Sequence, residues 1–251
     1  MRVAVTGANG TIGRRLCADL ASDRQVVRID LADADCVADV RDLAALEKAF
    51  EGCDAVVHLA GVVSLEANWE DVYATNIGGT YNAFEAARRA GIRRFVFASS
   101  NHAVGMHEME HKPQIYEPKF GLVVGTESPF RPDSLYGVWK AFGEALGRFY
   151  SETHAMRVAC VRIGSMTEHD DPRHSSVAQS SGWLNLTEEQ KFKRYAATWM
   201  SQRDFARLVR AILASDVPFG VVYGVGDNAT RFWDLEPGRA LYGFWPEDGV
   251  K

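Results

Sequence analysis

Cysteine and long apolar runs are scarce in this chain, and each scarcity excludes a class of protein. Only Cys17, Cys36, Cys53 and Cys160 are present, and their spacing matches no metal site. We therefore expect reduced buried thiols, no bound metal and a cytoplasmic location. No run approaches the roughly 18 apolar residues of a membrane span. The opening residues, MRVAVTG, lack the features of a signal peptide, so we expect no membrane partner.

Positive charge is also limited. The chain has 28 Lys and Arg against 33 Asp and Glu, a net charge of −5, and no basic cluster. Basic surfaces are what attract nucleic acids and anionic membranes, so we expect neither as a partner. The length of 251 residues fits one large domain, or one domain with a small appended lobe.

Strand-like runs alternate with helix-like patterns through most of the chain. We predict strands at 2–7, 25–30, 54–61, 93–100, 157–165 and 220–225, and helices at 11–22, 42–52, 68–91, 132–153 and 201–215. We expect the helix at 132–153 to start at Pro132, since proline is tolerated in a first helical turn. The alternation predicts an α/β fold with a Rossmann-like doubly wound parallel sheet.

Two long segments interrupt this alternation. Residues 101–131 and 164–200 show neither helix nor strand periodicity, and each follows a predicted strand. They would emerge at the carboxyl edge of the sheet, where doubly wound folds bind ligands. Structureless segments of this length are usually lids or binding loops, so we expect both to cover a site.

The stretch VTGANGTIG joins the first strand to the first helix and contains Gly7, Gly10 and Gly13. Glycine there permits a tight turn, close approach of a pyrophosphate and packing of the helix on the strand. The helix N-terminus offers N–H groups to the phosphates. We therefore predict a dinucleotide site that also includes Asn9, Thr11 and Ile12.

The second strand ends at Asp30. A carboxylate there accepts hydrogen bonds from the adenosine ribose and repels a 2′-phosphate, which favours NAD over NADP. Arg28 lies two residues earlier and is expected to point the same way, so use of NADP stays open.

Two further stretches belong to the predicted cofactor site. Asp39 and Val40 would contact the adenine, or would form a simple turn. The stretch HLAG ends a strand in small residues that let the backbone pass close to a cofactor, namely Leu59, Ala60 and Gly61. We assign residues 1–163 to an NAD-binding Rossmann domain that includes the predicted helix 132–153, which contains Tyr136 and Lys140. Residues 164–251 would mostly form a substrate-binding lobe, with strand 220–225 returning to the sheet.

Tyr136 and Lys140 lie four residues apart in SLYGVWKAFGE, so on a helix they share one face. Tyrosine has a pKa near 10 and is a poor base at neutral pH. Lowering that pKa to about 7 takes roughly 4 kcal/mol, and a lysine charge about 5 Å away supplies about 3 kcal/mol. We predict Tyr136 as the catalytic base and Lys140 as its activator. A pair of solvated helix residues is the alternative.

Ser100 ends the strand that precedes this helix. Its hydroxyl would hydrogen-bond the reacting oxygen, which makes it the third predicted catalytic residue. The alternative is that Ser100 only caps the strand end.

The motifs TGANGTIG, HLAG, FASSNH and YGVWK follow one another in this order. With them the chain resembles the extended short-chain dehydrogenase/reductase family, or NAD-dependent epimerase/dehydratase family, over nearly its whole length. FASSNHAVG, RPDSLYG and VRIGSMT are similar to segments of uronate dehydrogenases. The tail from VVYGVGDNATRFW is more similar to haloarchaeal-type NAD-dependent glucose-6-phosphate dehydrogenases. Trp139 and the long 164–200 segment depart from the family pattern and leave the sugar open.

The resemblance implies further site residues. Besides Tyr136 and Lys140, it implies cofactor contacts from Asn76 and Ile163. It implies substrate contacts from Val63, Ser64, Asn101, His102 and Arg194. His102 and Arg194 have plainer alternatives as loop residues, and Ser165 would add a hydroxyl contact. The resemblance also implies a homodimer or larger homo-oligomer, paired through helices 69–90 and 132–153.

We therefore predict an NAD-dependent oxidoreductase acting on CH–OH groups, a sugar 1-dehydrogenase. The expected substrate is an anionic sugar, a hexuronate such as glucuronate or galacturonate oxidised to the aldarolactone. Glucose 6-phosphate and a neutral aldose are the alternatives. A nucleotide-sugar epimerase or dehydratase is disfavoured by the short stretch after the sixth strand. A non-catalytic NAD-sensing protein is disfavoured by the Tyr–Lys pair.

Overall fold

Runs of β-branched and small apolar residues form the strands of one parallel sheet. The computed structural model describes residues 1–179 and 184–251. In these ranges the sheet has seven strands in the order β3-β2-β1-β4-β5-β6-β7. The strands are β1 (Arg2–Thr6), β2 (Gln25–Asp30), β3 (Cys36–Val37), β4 (Ala55–His58), β5 (Arg94–Ser100), β6 (Arg157–Ile163) and β7 (Phe219–Gly224). The predicted doubly wound fold is confirmed.

Helices cover both faces of the sheet. In chain order they are α1 (Thr11–Leu20), α2 (Leu43–Phe50), α3 (Trp69–Asp71), α4 (Gly79–Arg89), α5 (Met106–His111), α6 (Leu135–His154), α7 (Ser176–Gln179), α8 (Glu188–Thr198), α9 (Gln202–Ala214) and α10 (Glu236–Tyr242). A π-helical segment, Val72–Gly78, joins α3 to α4. One apolar core contains residues of α2, α4 and α6, and another contains residues of α1 and α9. None of the described helices is both long and apolar enough to cross a membrane.

The topology fixes where a ligand can bind. From β1 the chain moves outward to β2 and β3, and it then crosses back to β4 on the other side of β1. The carboxyl ends of β1 and β4 therefore flank a switch point, where doubly wound sheets hold their ligands. β7 pairs with β6 from Val158 to Ile163, so the sheet continues past the proposed domain boundary at residue 163.

The start of α6 differs from the prediction. The helix begins at Leu135, not at Pro132, and the Ser134 hydroxyl accepts the Gly137 N–H at 3.1 Å. A serine at this position satisfies one of the free N–H groups of the first turn. Proline has no side-chain acceptor to do so, and Pro132 lies before the helix.

The two segments expected to be structureless contain short helices. Residues 101–131 hold α5 and two 3₁₀ turns, and 164–200 hold α7 and α8. Residues 180–183, within the second segment, lie outside the described residues. A third apolar core anchors both segments against the tail, with Val104, Ile115, Tyr116, Val124, Ala197, Phe232 and Trp233 among its members. α5 and α7 have only six and four residues and are too short to show periodicity. α8 has 11 residues and begins with a capping box at Thr187 and Gln190, a signal that sequence reasoning missed.

Candidate active site

The glycine-rich turn after β1 is closely packed. Gly7 has a φ of +69°, and a Cβ atom there would lie 2.8 Å from the Ala60 nitrogen. A Cβ on Gly13 would lie 2.2 Å from the Gly7 carbonyl oxygen. Gly10 immediately precedes α1 and donates its N–H to the same oxygen at 3.1 Å. The turn thus presents bare backbone at the start of α1, as predicted for a dinucleotide site.

A groove runs from this turn in two directions. Its first part is a cavity of about 540 Å³ lined by the predicted cofactor residues Gly7, Asn9, Gly10, Asp30, Asp39, Val40, Leu59, Ala60 and Gly61. The adjoining part, about 330 Å³, is lined by Thr11, Ile12, Gly13, Ser100, Tyr136, Lys140 and Ile163. The two share Gly7, Gly10, Leu59 and Val63. An elongated groove with glycines at its middle fits a dinucleotide whose pyrophosphate crosses the turn.

The carboxylate of Asp30 is fixed at the end of β2. Its Oδ2 accepts the Asn9 N–H at 2.8 Å, and its Oδ1 accepts the Leu31 N–H at 2.8 Å. The Arg28 guanidinium donates to Asn9 Oδ1 at 2.7 Å and to the Asp33 carbonyl at 2.6 Å. Arg28 is therefore tied into the surrounding turns, whereas Asp30 lines the cavity.

Asp39 and Asn76 are held in different ways. Asp39 lines the cavity and pairs with Arg41 at 2.6 Å, and this hydrogen bond lowers the pKa of the Asp39 carboxyl. Asn76 is buried against the segment that follows β4. Its side-chain amide accepts the Val62 N–H at 2.7 Å and donates to the Val62 carbonyl at 3.1 Å. Asn76 thus shapes the wall of the cofactor groove through the backbone of Val62.

Tyr136 and Lys140 share one face of α6, as the spacing predicts. The Lys140 Nζ lies 5.2 Å from the centroid of the Tyr136 ring and donates to the Ala98 carbonyl at 2.5 Å. It also lies 3.4 Å from the centroid of the Trp139 ring. The Trp139 indole is buried and donates to the Thr80 hydroxyl at 2.7 Å. Trp139 therefore packs against Lys140 and is not among the residues that line the cofactor groove.

The expected lowering of the tyrosine pKa towards 7 is not found in the polypeptide by itself. Burial raises the pKa of Tyr136 to about 12, and a hydrogen bond with Ser100 lowers it in part. Burial also lowers the pKa of Lys140 well below its ordinary value, while the Glu144 carboxylate raises it. Desolvation disfavours both charged forms, and the sequence estimate considered only the attraction between them.

The residues after β5 form the wall beside Tyr136. Ser100 Oγ donates to Asn101 Oδ1 at 3.1 Å. His102 Nδ1 lies 2.7 Å from Asp133 Oδ2, and the His102 ring stands edge-on to the Tyr136 ring with centroids 5.7 Å apart. The Asp133 side chain is buried, so it fixes the orientation of the imidazole. Sequence reasoning missed Asp133, although it directly precedes the Ser134 cap in RPDSLYG.

A third cavity, about 290 Å³, opens on the far side of Tyr136. It collects the predicted substrate residues Val63, Ser100, Asn101, His102, Ser165 and Arg194. Ser165 shares a hydrogen bond of 2.8 Å with the Thr198 hydroxyl. Ser64 is the exception, because it is exposed and its hydroxyl accepts the Glu66 N–H at 3.2 Å.

The surroundings of Arg194 differ from the expected loop. The residue lies within α8 and is buried, with only 4% of its surface exposed. Its Nε and Nη2 donate to the two carboxylate oxygens of Glu108 at 2.6 and 3.3 Å, and Tyr116 donates to the same carboxylate at 2.7 Å. Burial opposes the charge of Arg194, but Glu108 outweighs it, so the pKa of Arg194 is raised. Glu108 comes from the segment without periodicity and was not predicted.

Comparison with known proteins identifies relatives along nearly the whole chain. Residues 3–218 match the family described as NAD dependent epimerase/dehydratase. An NAD-dependent glucose-6-phosphate dehydrogenase of Haloferax volcanii is 36% identical over 98% of this chain and 93% of its own length. An L-arabinose 1-dehydrogenase (NAD(P)(+)) of the same organism is 38% identical over 98% and 96%. A uronate dehydrogenase of Agrobacterium fabrum is 35% identical over 100% and 86%.

A solved structure shows the same architecture. A mutant of uronate dehydrogenase from Agrobacterium tumefaciens, in complex with NAD, superposes with a TM-score of 0.80. It is 33% identical, and the match covers 99% of this chain and 85% of that one. The fold and the family predicted from the sequence are both confirmed.

Proposed function

Since this chain belongs to the NAD-dependent epimerase/dehydratase family, we propose that it is an NAD-dependent sugar 1-dehydrogenase. The observation that carries the proposal is the position of Tyr136, which lines both the dinucleotide groove and the neighbouring cavity of about 290 Å³. That cavity is at the small end of ligand pockets. It therefore suits a single sugar ring better than a nucleotide sugar.

The groove fits NAD as cofactor. Gly7, Gly10 and Gly13 leave backbone free for the pyrophosphate, and Asp30 would accept the adenosine ribose hydroxyls. NAD bound in this groove would supply the hydride acceptor for oxidation at the anomeric carbon. NAD is named in the family description and is bound in the Agrobacterium tumefaciens structure.

The remaining chemistry belongs to side chains of this protein. Tyr136 takes the proton of the anomeric hydroxyl as general base. Burial disfavours its phenolate, and the Ser100 hydroxyl together with a protonated Lys140 would offset that cost. Ser100 donates a hydrogen bond to the reacting oxygen. His102, oriented by Asp133, contacts the sugar beside it. Oxidation of a cyclic hemiacetal at this carbon gives a lactone.

The proposed substrate is a hexuronate, with a hexose 6-phosphate as the anionic alternative. Arg194 lines the sugar cavity, and guanidinium suits carboxylate or phosphate oxygens. A neutral aldose is the second candidate. It is favoured by the Glu108 carboxylate, which already occupies two nitrogens of Arg194, and by the likeness to an L-arabinose 1-dehydrogenase.

Location and assembly complete the proposal. We place the enzyme in the cytoplasm, where the four free cysteines would stay reduced. We place α4 and α6 at an interface between two copies. Exposed aromatic residues on these helices, Tyr81 at 47% and Phe149 at 51%, support that pairing.

The test is a substrate panel. Purified protein is mixed with NAD and, separately, with glucuronate, galacturonate, glucose 6-phosphate, glucose, galactose and arabinose, and absorbance at 340 nm is followed. Formation of NADH with any of these sugars supports the dehydrogenase, and the fastest one identifies the substrate class. If no sugar yields NADH while NAD binds, the proposal is wrong and an epimerase or a binding protein replaces it.

A further inference from the structure

A buried ion pair joins the two segments that cover the sugar cavity. Glu108 and Arg194 are 86 positions apart, yet their side chains are 2% and 5% exposed and bonded at 2.6 Å. Tyr116 donates a third hydrogen bond to the Glu108 carboxylate. The carboxylate is therefore satisfied on both oxygens and held against the guanidinium.

Arg194 supplies the permanent charge of the sugar cavity. Among the described residues that line the sugar cavity, it is the one side chain with a permanent charge. Lys193, the preceding residue, does not line the cavity and pairs with Glu117 and Glu189. Lys140 lines the adjoining cofactor groove, and the buried carboxylate of Asp133 is engaged by His102. The attraction of the cavity for an anion thus depends on Arg194.

Glu108 compensates this charge without lining the cavity itself. An anionic sugar would interact with the guanidinium and, at slightly greater distance, with an opposing carboxylate. In a poorly solvated site neither interaction is strongly screened. A neutral sugar only forms hydrogen bonds with Arg194. Its binding should therefore depend little on whether the Glu108 carboxylate is present.

We propose that Glu108 is a specificity-determining residue that sets, through Arg194, how strongly the site distinguishes anionic from neutral sugars. The inference rests on the proposed sugar 1-dehydrogenase function. With the Glu108 carboxylate opposing Arg194, the preference for a hexuronate over its matching hexose is kept small. Without that carboxylate, the preference for the hexuronate becomes larger.

The test compares Glu108→Gln with the wild type on two matched sugar pairs, glucuronate with glucose and galacturonate with galactose. The members of each pair differ only at C6. We expect the ratio of kcat/KM for acid over neutral sugar to rise by about tenfold or more, as for a hydrogen bond to an uncompensated charge. The change should appear in KM for the acid, with kcat little altered. Glu110→Gln, on the same helix but in an exposed pair with Arg131, should leave the ratio unchanged.

Several results would overturn the inference. A folded Glu108→Gln protein whose ratio stays within about twofold of wild type would do so, because a purely structural role lowers both efficiencies together. Glu108→Asp keeps the charge and should keep the ratio near that of the wild type.

If Glu108→Gln does not fold, kinetics of the wild type still test the inference. A preference for the acid above about a thousandfold would exclude a site in which Glu108 offsets the charge of Arg194. Wild-type protein that makes no NADH with any sugar refutes the proposed function instead.

Discussion

The Lys140 Nζ lies 5.2 Å from the centre of the Tyr136 ring and donates a hydrogen bond to the Ala98 carbonyl of β5. The pair is thus tied to a central strand as well as to α6. Ser100 ends the same strand, so the three predicted catalytic residues rest on two elements of the core. This arrangement makes their separation insensitive to movement of the covering segments.

Replacement of Tyr136 by phenylalanine should abolish most turnover. The ring keeps its packing but has no hydroxyl to exchange a proton, so kcat should fall by about 10²–10⁴-fold. NAD affinity, measured by fluorescence or calorimetry, should change little. Tyr73→Phe, at an exposed position of the π-helical segment, is the control. Retention of more than about a tenth of wild-type kcat would show that another group is the base.

Replacement of Asp30 by alanine should alter the choice of cofactor. The variant loses hydrogen bonds to the ribose and no longer repels a 2′-phosphate, so the ratio of kcat/KM for NAD over NADP should fall about tenfold or more. Asp39→Ala is the matched control, because Asp39 lines the same cavity but should affect both cofactors alike. Equal use of NAD and NADP by the wild type would contradict the role given to Asp30.

Replacement of Arg194 by glutamine should reduce both stability and binding of an anionic sugar. It leaves Glu108 buried without its charged partner, which typically costs about 3–5 kcal/mol of the free energy of unfolding. KM for the hexuronate should rise while NAD affinity stays constant. Lys193→Gln removes an exposed positive charge next to it and should do neither. Denaturant unfolding and steady-state kinetics measure the two effects, and an unchanged KM would remove Arg194 from the sugar site.

His58 should make the fold sensitive to acid. It is buried at the end of β4 beside the Thr6 hydroxyl, 2.8 Å from Nδ1, and burial lowers the pKa of His58 to about 3. Unfolded histidine has a pKa near 6.5, so the unfolded chain binds more protons between these values. The stability linked to His58 is therefore complete above pH about 6.5 and is lost as pH falls towards about 3.

The His58→Val variant tests this linkage. The variant should be less stable than the wild type at pH 7. The difference between their free energies of unfolding should be smaller by about 2 kcal/mol at pH 5, because the wild type loses about 1.36 kcal/mol per pH unit below 6.5. Urea titrations at both pH values measure the gap. His154→Gln, at the exposed end of α6, should follow the wild type. A gap that stays constant with pH would mean that His58 is not buried neutral.

Local patterns predicted the sheet, the glycine turn and the Tyr–Lys pair. Each of these features is set by residues close together in the sequence. Gly7 belongs to a short turn, and Tyr136 and Lys140 lie one turn apart on the same helix. The order of motifs along the chain placed the site at the carboxyl edge of the sheet. These features follow from periodicity and connectivity, which a single sequence displays.

The partners of the site residues were not predictable in the same way. Glu108 pairs with Arg194 across 86 positions, and the packing of short helices selects that pairing. Asp133 acquires its role only because α6 brings it against His102. The direction of the Tyr136 pKa shift depends on burial in the core, where the Trp139 ring stands edge-on to it, and spacing does not reveal that burial.

The bonds between the covering segments bear on attempts to exchange substrate range among relatives. Besides Glu108 and Arg194, Lys193 pairs with Glu117 at 2.8 Å, and Lys112 donates to the Leu184 carbonyl at 2.5 Å. A chimera that receives only residues 101–131 from another enzyme would replace Glu108 and leave Arg194 without its matching partner. The two segments therefore form one transplantable module, and sugar preference should move between scaffolds only when both are exchanged together.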